Sequence, residues 1–299
     1  VDQIKYLPMN LKKKINSDIK KIKSKKINFS NFNFKKIPNI LGVLNLTPDS
    51  FSDGGKFNTK KKAFKHAIHL INSGADLIDV GGESTRPGSR AIKENLEWSR
   101  LSKILKLLSK RKSISLDTRK SNIMKKGIEL GVELINDVSG LNYDNRTINI
   151  LKKYKIPFVI QHSRGVPENM QIKPSYKNEL LDIYDFFEEK IELIRSKGIK
   201  HNNIILDPGI GFGKNLKHNI TILNQISIFH SLGFPVMLGL SKKRFIKELS
   251  GNNDSKNRIG GTASSCIYAI LQGVQIIRVH DVNEIKQAMK VFNKLIFNK

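Results

Sequence analysis

Cysteine is nearly absent: Cys266 is the only one in 299 residues. A single thiol excludes an intrachain disulfide and a thiol-rich metal centre, and inside a helical pattern it reads as a small buried hydrophobe. Long apolar runs are missing too. No stretch reaches about 18 consecutive apolar residues, so no helix of the sequence spans a membrane. The first residues carry no apolar signal core, which argues for a cytoplasmic protein. There is no Walker loop, and Asp207-Pro-Gly-Ile-Gly-Phe-Gly-Lys214 lacks the G-x-G-x-x-G spacing of a dinucleotide loop. Acidic residues are scarce: 26 against 53 basic ones leave a formal charge of +27. That balance raises nucleic-acid binding. The excess is mostly lysine spread over many segments, however, whereas arginine is favoured for bidentate phosphate recognition. Adhesion to polyanions at low salt is expected, and no specific nucleic-acid site.

What is present suits one barrel-sized domain, for which about 250 residues is typical. Residues 1–37 are lysine-rich, including Lys12-Lys13-Lys14 and Lys25-Lys26, and read as a solvated, partly ordered extension in which Leu11, Ile15 and Ile19 keep helical spacing. Residues 38–299 form the main domain. Its first strand, 40–46, is apolar and turns polar at Asn45-Leu-Thr-Pro-Asp-Ser-Phe-Ser-Asp53, where Pro48 cannot join a ladder. Thr59 is placed to cap a helix carrying Ala63, Phe64, Ala67, Ile68 and Ile71. Further strand candidates lie at 75–80, 113–117, 132–136, 157–161, 204–207, 235–239 and 274–279. Most are continuous apolar runs, as parallel strands covered by helices require. Helical patterns closing near Gly74, Gly131, Gly198, Gly233 and Gly273 lead into five of them. Eight strand–helix units predict an α/β fold, a closed (β/α)8 barrel, with an open doubly wound sheet as the alternative.

Polar or ionisable groups follow every strand: Asn45, Thr47 and Asp49; Glu83 to Arg86; Asp117 to Arg119; Asn136-Asp137; Gln161-His162 with Arg164; Asp207; Ser241-Lys242-Lys243; and Arg278 with His280-Asp281. One such group is usually a satisfied turn. Eight at the same strand end predict a catalytic rim. Asp117, Asn136 and Asp207 offer carboxylate and amide edges that could read a planar heterocycle bearing amino and lactam groups. Lys243, Arg278 and His280 follow the last two strands, where barrels frequently bind phosphate. Arg278 and His280, two apart, point the same way in extended chain. Asn45 begins the adjacent loop, and an oxygen ligand there could share Mg²⁺ with a diphosphate.

The stretches Val43–Gly55, Asp79–Gly88, Leu116–Thr118, Ile135–Gly140, Asp207–Lys214, Gly239–Lys243 and Arg278–Val282 resemble the dihydropteroate synthase family in order and composition. The resemblance covers roughly residues 38–299. It implies a (β/α)8 barrel that condenses (7,8-dihydropterin-6-yl)methyl diphosphate with 4-aminobenzoate, the sulfonamide-sensitive step of folate synthesis, and a homodimer. By position it implies that Asp117, Asn136, Asp207 and Lys243 hold the pterin, with Asp117, Asp207 and Lys243 closest to the chemistry. Asn45, Arg278 and His280 would hold the diphosphate, Asn45 also meeting Mg²⁺. Phe51, Thr85, Arg86, Pro87, Phe212 and Ser241 would shape the aminobenzoate side. Two positions depart from the pattern: Ser163 follows His162 where methionine is usual, and Lys242 replaces an arginine. Pterin-dependent methyltransferases and an inactive pterin-binding paralogue are the competing readings.

Overall fold

Every apolar run predicted as a strand pairs in parallel with its neighbours. The computed structural model describes residues 7–23, 28–29, 32–33, 38–47, 58–200 and 203–297. Helix α1 (Met9–Lys23) comes first, then the two-residue antiparallel strands β1 (Asn28–Phe29) and β2 (Phe32–Asn33). The barrel strands are β3 (Asn39–Asn45), β4 (Leu77–Gly81), β5 (Ile114–Asp117), β6 (Leu134–Asp137), β7 (Phe158–Gln161), β8 (Ile204–Asp207), β9 (Met237–Gly239) and β10 (Ile276–Val279). They are ordered β8-β7-β6-β5-β4-β3-β10-β9. A parallel bridge between Leu206 and Val236 and the bond from Leu206 N to Pro235 O, 2.9 Å, close the ring. The barrel is therefore closed, and the open-sheet alternative falls.

The helices between them are α2 (Asn58–Asn72), α3 (Glu94–Leu108), α4 (Ser121–Glu129), α5 (Thr147–Tyr154), α6 (Glu179–Ser196), α7 (Leu216–Asn224), α8 (Arg244–Ser250), α9 (Ile259–Leu271) and α10 (Val282–Phe297). Left-handed glycines make the predicted tight returns to strands, as at Gly131 (φ +94°) and Gly273 (φ +100°). Asn178 caps α6 by accepting from Leu180 N and Leu181 N, both at 3.1 Å. Helix α2 already begins at Asn58, so Thr59 stands in its first turn instead of preceding it. Cys266 is fully buried in α9. Helix α1 has no buried residue and lies against the 3₁₀ segment Ile226–Leu232, with Ile15, Ile19 and Ile22 half-buried.

Strand alternation builds two layers inside the barrel. Leu41, Leu77, Leu134, Val159, Ile205, Met237 and Ile276 form an apolar floor separate from the larger core under the helices. Each buried floor side chain contributes about 1.5–3 kcal/mol. Two residues further along each strand the side chain again faces inward. That rule puts Asp79, Asn136, Gln161, Asp207 and Arg278 in one layer directly above the floor, together with Asp117 two residues beyond the inward Ser115.

Candidate active site

The polar layer is organised by a carboxylate inside a strand. Asp79, fully buried, accepts from Ser115 Oγ (2.5 Å), Asn136 Nδ2 (3.3 Å) and Arg278 Nε (2.5 Å). Arg278 Nη2 donates to Asp117 Oδ2 at 2.8 Å, so one guanidinium bridges two carboxylates. Asp79 lies outside the residues assigned from sequence because it interrupts the apolar run Leu77-Ile-Asp-Val80 and does not follow it. A carboxylate two residues after a floor leucine is the signal that marks it. Gln161 is also inward and only 4% exposed, with Asp207 as its partner on β8.

Asp117, Asn136, Asp207, Lys243 and Arg278 are brought together as expected. Asp207 Oδ1 accepts from Gly209 N at 2.8 Å. Lys243 reaches Ile210 O, and its ammonium stands 4.3 Å from the centre of the half-buried Phe212 ring. Gly81 separates two oxygens: a Cβ there would lie 3.5 Å from Asn45 Oδ1 and 3.6 Å from Asp117 Oδ2. Ser241, assigned to the aminobenzoate side, faces His280, assigned to diphosphate; Nδ1 and Oγ are 3.1 Å apart. Thr85 is half-buried and Arg86 and Pro87 exposed in the loop after β4. Phe51, Asp49 and Asp53 lie outside the described residues.

Burial, against the pull of Arg278 and with the push of Asp79, raises the Asp117 carboxyl to about 8. Burial likewise raises Asp207, opposed by Lys243. It lowers Lys243 to about 8, with Asp207 resisting. His280 falls to about 4 through burial and the charges of Arg278 and Lys242, so its imidazole is neutral at pH 7. In the turn after β8, the buried Lys214 Nζ stands 2.9 Å from His162 Nδ1 and donates to Phe212 O at 3.0 Å, tying the glycine-rich turn to β7. Lys242, where arginine is usual, pairs with Asp281 at 2.8 Å and has a left-handed backbone (φ +58°).

The loop after β4 hangs on Glu83. Its Oε1 accepts from Ile92 N and Lys120 Nζ, and Oε2 from Arg119 Nε, each at 2.8 Å. Lys120 also pairs with the fully buried Glu97 at 2.5 Å. Glu83 stands in the rim listed from sequence, whereas Glu97, inside α3, was not legible from motif spacing. Glu83→Gln is expected to cost about 3 kcal/mol, since breaking a buried ion pair strands its partners, and so to lower Tm by about 6–12 °C. Thermal melts and proteolysis within residues 84–92 check this; an unchanged Tm removes Glu83 as the anchor.

Eight closed parallel strands with ionisable groups converging above the floor define a (β/α)8 enzyme with its site at the C-terminal rim. The model of the pterin binding enzyme family matches residues 41–280, and the chain belongs to that family. It is 40% identical over 274 residues to the dihydropteroate synthase of Clostridium beijerinckii, covering 91% of this chain and 99% of that one. It is 37% identical over 266 residues to the dihydropteroate synthase of Synechocystis sp., covering 88% and 92%. A crystal structure of dihydropteroate synthase from Clostridium difficile in the presence of pteroic acid superimposes with a TM-score of 0.83 at 38% identity, covering 90% of this chain and all of that one. The resemblance expected from the motifs holds.

Proposed function

We propose that this chain is a cytoplasmic dihydropteroate synthase, joining (7,8-dihydropterin-6-yl)methyl diphosphate to 4-aminobenzoate with release of diphosphate. The observation that carries this reading is the polar layer above the apolar floor. Its carboxylates and amides are spaced to read the edge of a flat ring, and cations gather on one side of it. Asn136 Oδ1 and Gln161 Nε2 are buried without a protein partner, which is the state of a pocket built to pair with a ring bearing both donors and acceptors.

In this reading Asp117, Asn136, Asp207 and Lys243 hold the pterin. The bond that breaks is C–O to diphosphate. Arg278 and Lys243 oppose the charge that develops on the leaving group, and neutral His280 donates a hydrogen bond to it. Asp117, in its ionised form, would favour positive charge on the pterin-methyl group, and its carboxyl at about 8 makes that form grow as pH rises. The arylamine is nucleophilic at neutral pH, so no base is needed to activate it. Among the described residues no cluster of three or more His, Cys, Asp or Glu could cage a metal. The Asn45 Oδ1 flanking Gly81 is instead a lone hard oxygen, which fits Mg²⁺ held mainly by substrate phosphates. When bound, Mg²⁺ supplies charge neutralisation at the diphosphate. Thr85, Arg86, Pro87, Phe212 and Ser241, together with Phe51, form the aminobenzoate side.

The basic segment 1–37 stays outside this chemistry. A second copy of the chain is proposed to cover α9 and α10, which expose Tyr268, Leu271, Val291, Leu295 and Ile296. The test of the reaction is diphosphate release that requires 4-aminobenzoate and is blocked by a sulfonamide. Methyltransferase chemistry or simple pterin binding would give none. If diphosphate binding orders the loops, titration calorimetry shows 4-aminobenzoate binding only after diphosphate is added.

A further inference from the structure

We propose that Gln161 determines specificity for the ring substrate, its Nε2 donating to a ring nitrogen or lactam oxygen beside the edge met by Asp207. This rests on the pterin reading above. Three observations support it. Val159 belongs to the barrel floor, so alternation turns Gln161 inward one layer higher, in register with Asp207. Its side chain is buried, and Nε2 has no partner. The stem is also held: Gly209 (φ +69°) brings its backbone so close that a Cβ there would lie 1.9 Å from His162 O and 3.5 Å from Gln161 Cγ.

The other donors of the layer already serve protein acceptors, Lys243 keeping further N–H groups for the substrates. Arg278 serves Asp79 and Asp117, Lys243 serves Ile210 O, and Lys214 serves Phe212 O and His162. An ionised carboxylate can only accept, so in that form Asp207 reads the N–H groups of a pterin edge and leaves its acceptors to other groups. Gln161 supplies the neutral donor that such an edge still requires. A desolvated donor is unfavourable in the free protein and becomes favourable when a ligand acceptor meets it. Purely structural amides behave in the opposite sense, losing folded stability when removed.

Gln161→Met keeps length and removes the donor; Gln161→Leu is the second variant should the first fail to fold. Calorimetry with 6-hydroxymethyl-7,8-dihydropterin is expected to show binding about tenfold weaker than wild type. KM for the pterin diphosphate rises similarly, KM for 4-aminobenzoate moves less than about twofold, and Tm of the free variant is equal to or above wild type. Equal affinity in variant and wild type overturns the Gln161 assignment alone, as does a lowered free-protein Tm with affinity retained. A wild-type protein that does not bind the pterin overturns the ring-site reading, and the Gln161 assignment with it.

Discussion

Asp207→Ala is expected to lower kcat/KM by about 10²–10⁴-fold. A carboxylate making two charge-assisted hydrogen bonds to a ring edge contributes about 1.5–3 kcal/mol for each, and about 1.4 kcal/mol is a tenfold change in rate. Two local effects add to the loss. Gly209 N loses its acceptor, which frees the turn that carries Phe212. Lys243 and Lys214 lose the carboxylate that favours their charged forms. Asp207→Asn separates these contributions, because it keeps the acceptor for Gly209 while removing the charge. The asparagine variant should hold the wild-type Tm within a few degrees and still lose most of the activity. Steady-state kinetics by diphosphate release, with thermal melts of both variants, make the comparison. Near wild-type kinetics in the alanine variant would sink the pterin assignment.

The barrel could be read from sequence because its parallel strands are buried on both faces, so apolar runs coincide with strands. The register of those runs was less visible. The apolar stretch beginning at Val132 precedes the observed strand, which starts at Leu134 and runs on into Asn136 and Asp137. Hydrophobicity reports burial, and Val132 is buried while still in the turn; the ladder reports pairing, and it continues through polar residues. The same distinction explains the site. Asp117, Asn136 and Asp207 close their apolar runs and stand out, whereas Asp79 interrupts one and joins the others only through the alternation set by the barrel floor. The Ser241–His280 contact and the Glu83–Lys120–Glu97 network join loops from different strands, and no local spacing encodes them. The basic N-terminal stretch shows the reverse case. Helix α1 lies against the 3₁₀ segment Ile226–Leu232 with Ile15, Ile19 and Ile22 half-buried, while Leu11, of the same helical spacing, stays exposed and no residue is buried.

Arg278→Met should damage stability and activity together, and pH separates the two carboxylates' part in it. In the folded protein Asp117 is raised to about 8, above its unfolded value of about 3.9. Between those values the native state binds a proton that the unfolded chain has released, so stability declines as pH rises through this window. Arg278 opposes that rise. Removing its guanidinium pushes Asp117 higher and extends the decline to more alkaline pH, while Asp79 is left with only Ser115 and Asn136 as partners. The loss is expected to reach about 3–5 kcal/mol where the carboxylates are charged. Up to about pH 7 both native states keep the Asp117 proton, so the Tm gap between variant and wild type should be constant there and widen only as pH rises through about 8, where wild-type Asp117 ionises and the variant's does not. Arg278→Lys restores charge without the fork that spans Asp79 and Asp117, and its curve should fall between the two. Thermal melts at several pH values decide the matter. Curves that stay parallel above pH 8 would show that the bridge does not control Asp117, and the electrostatic account of the polar layer would have to be abandoned.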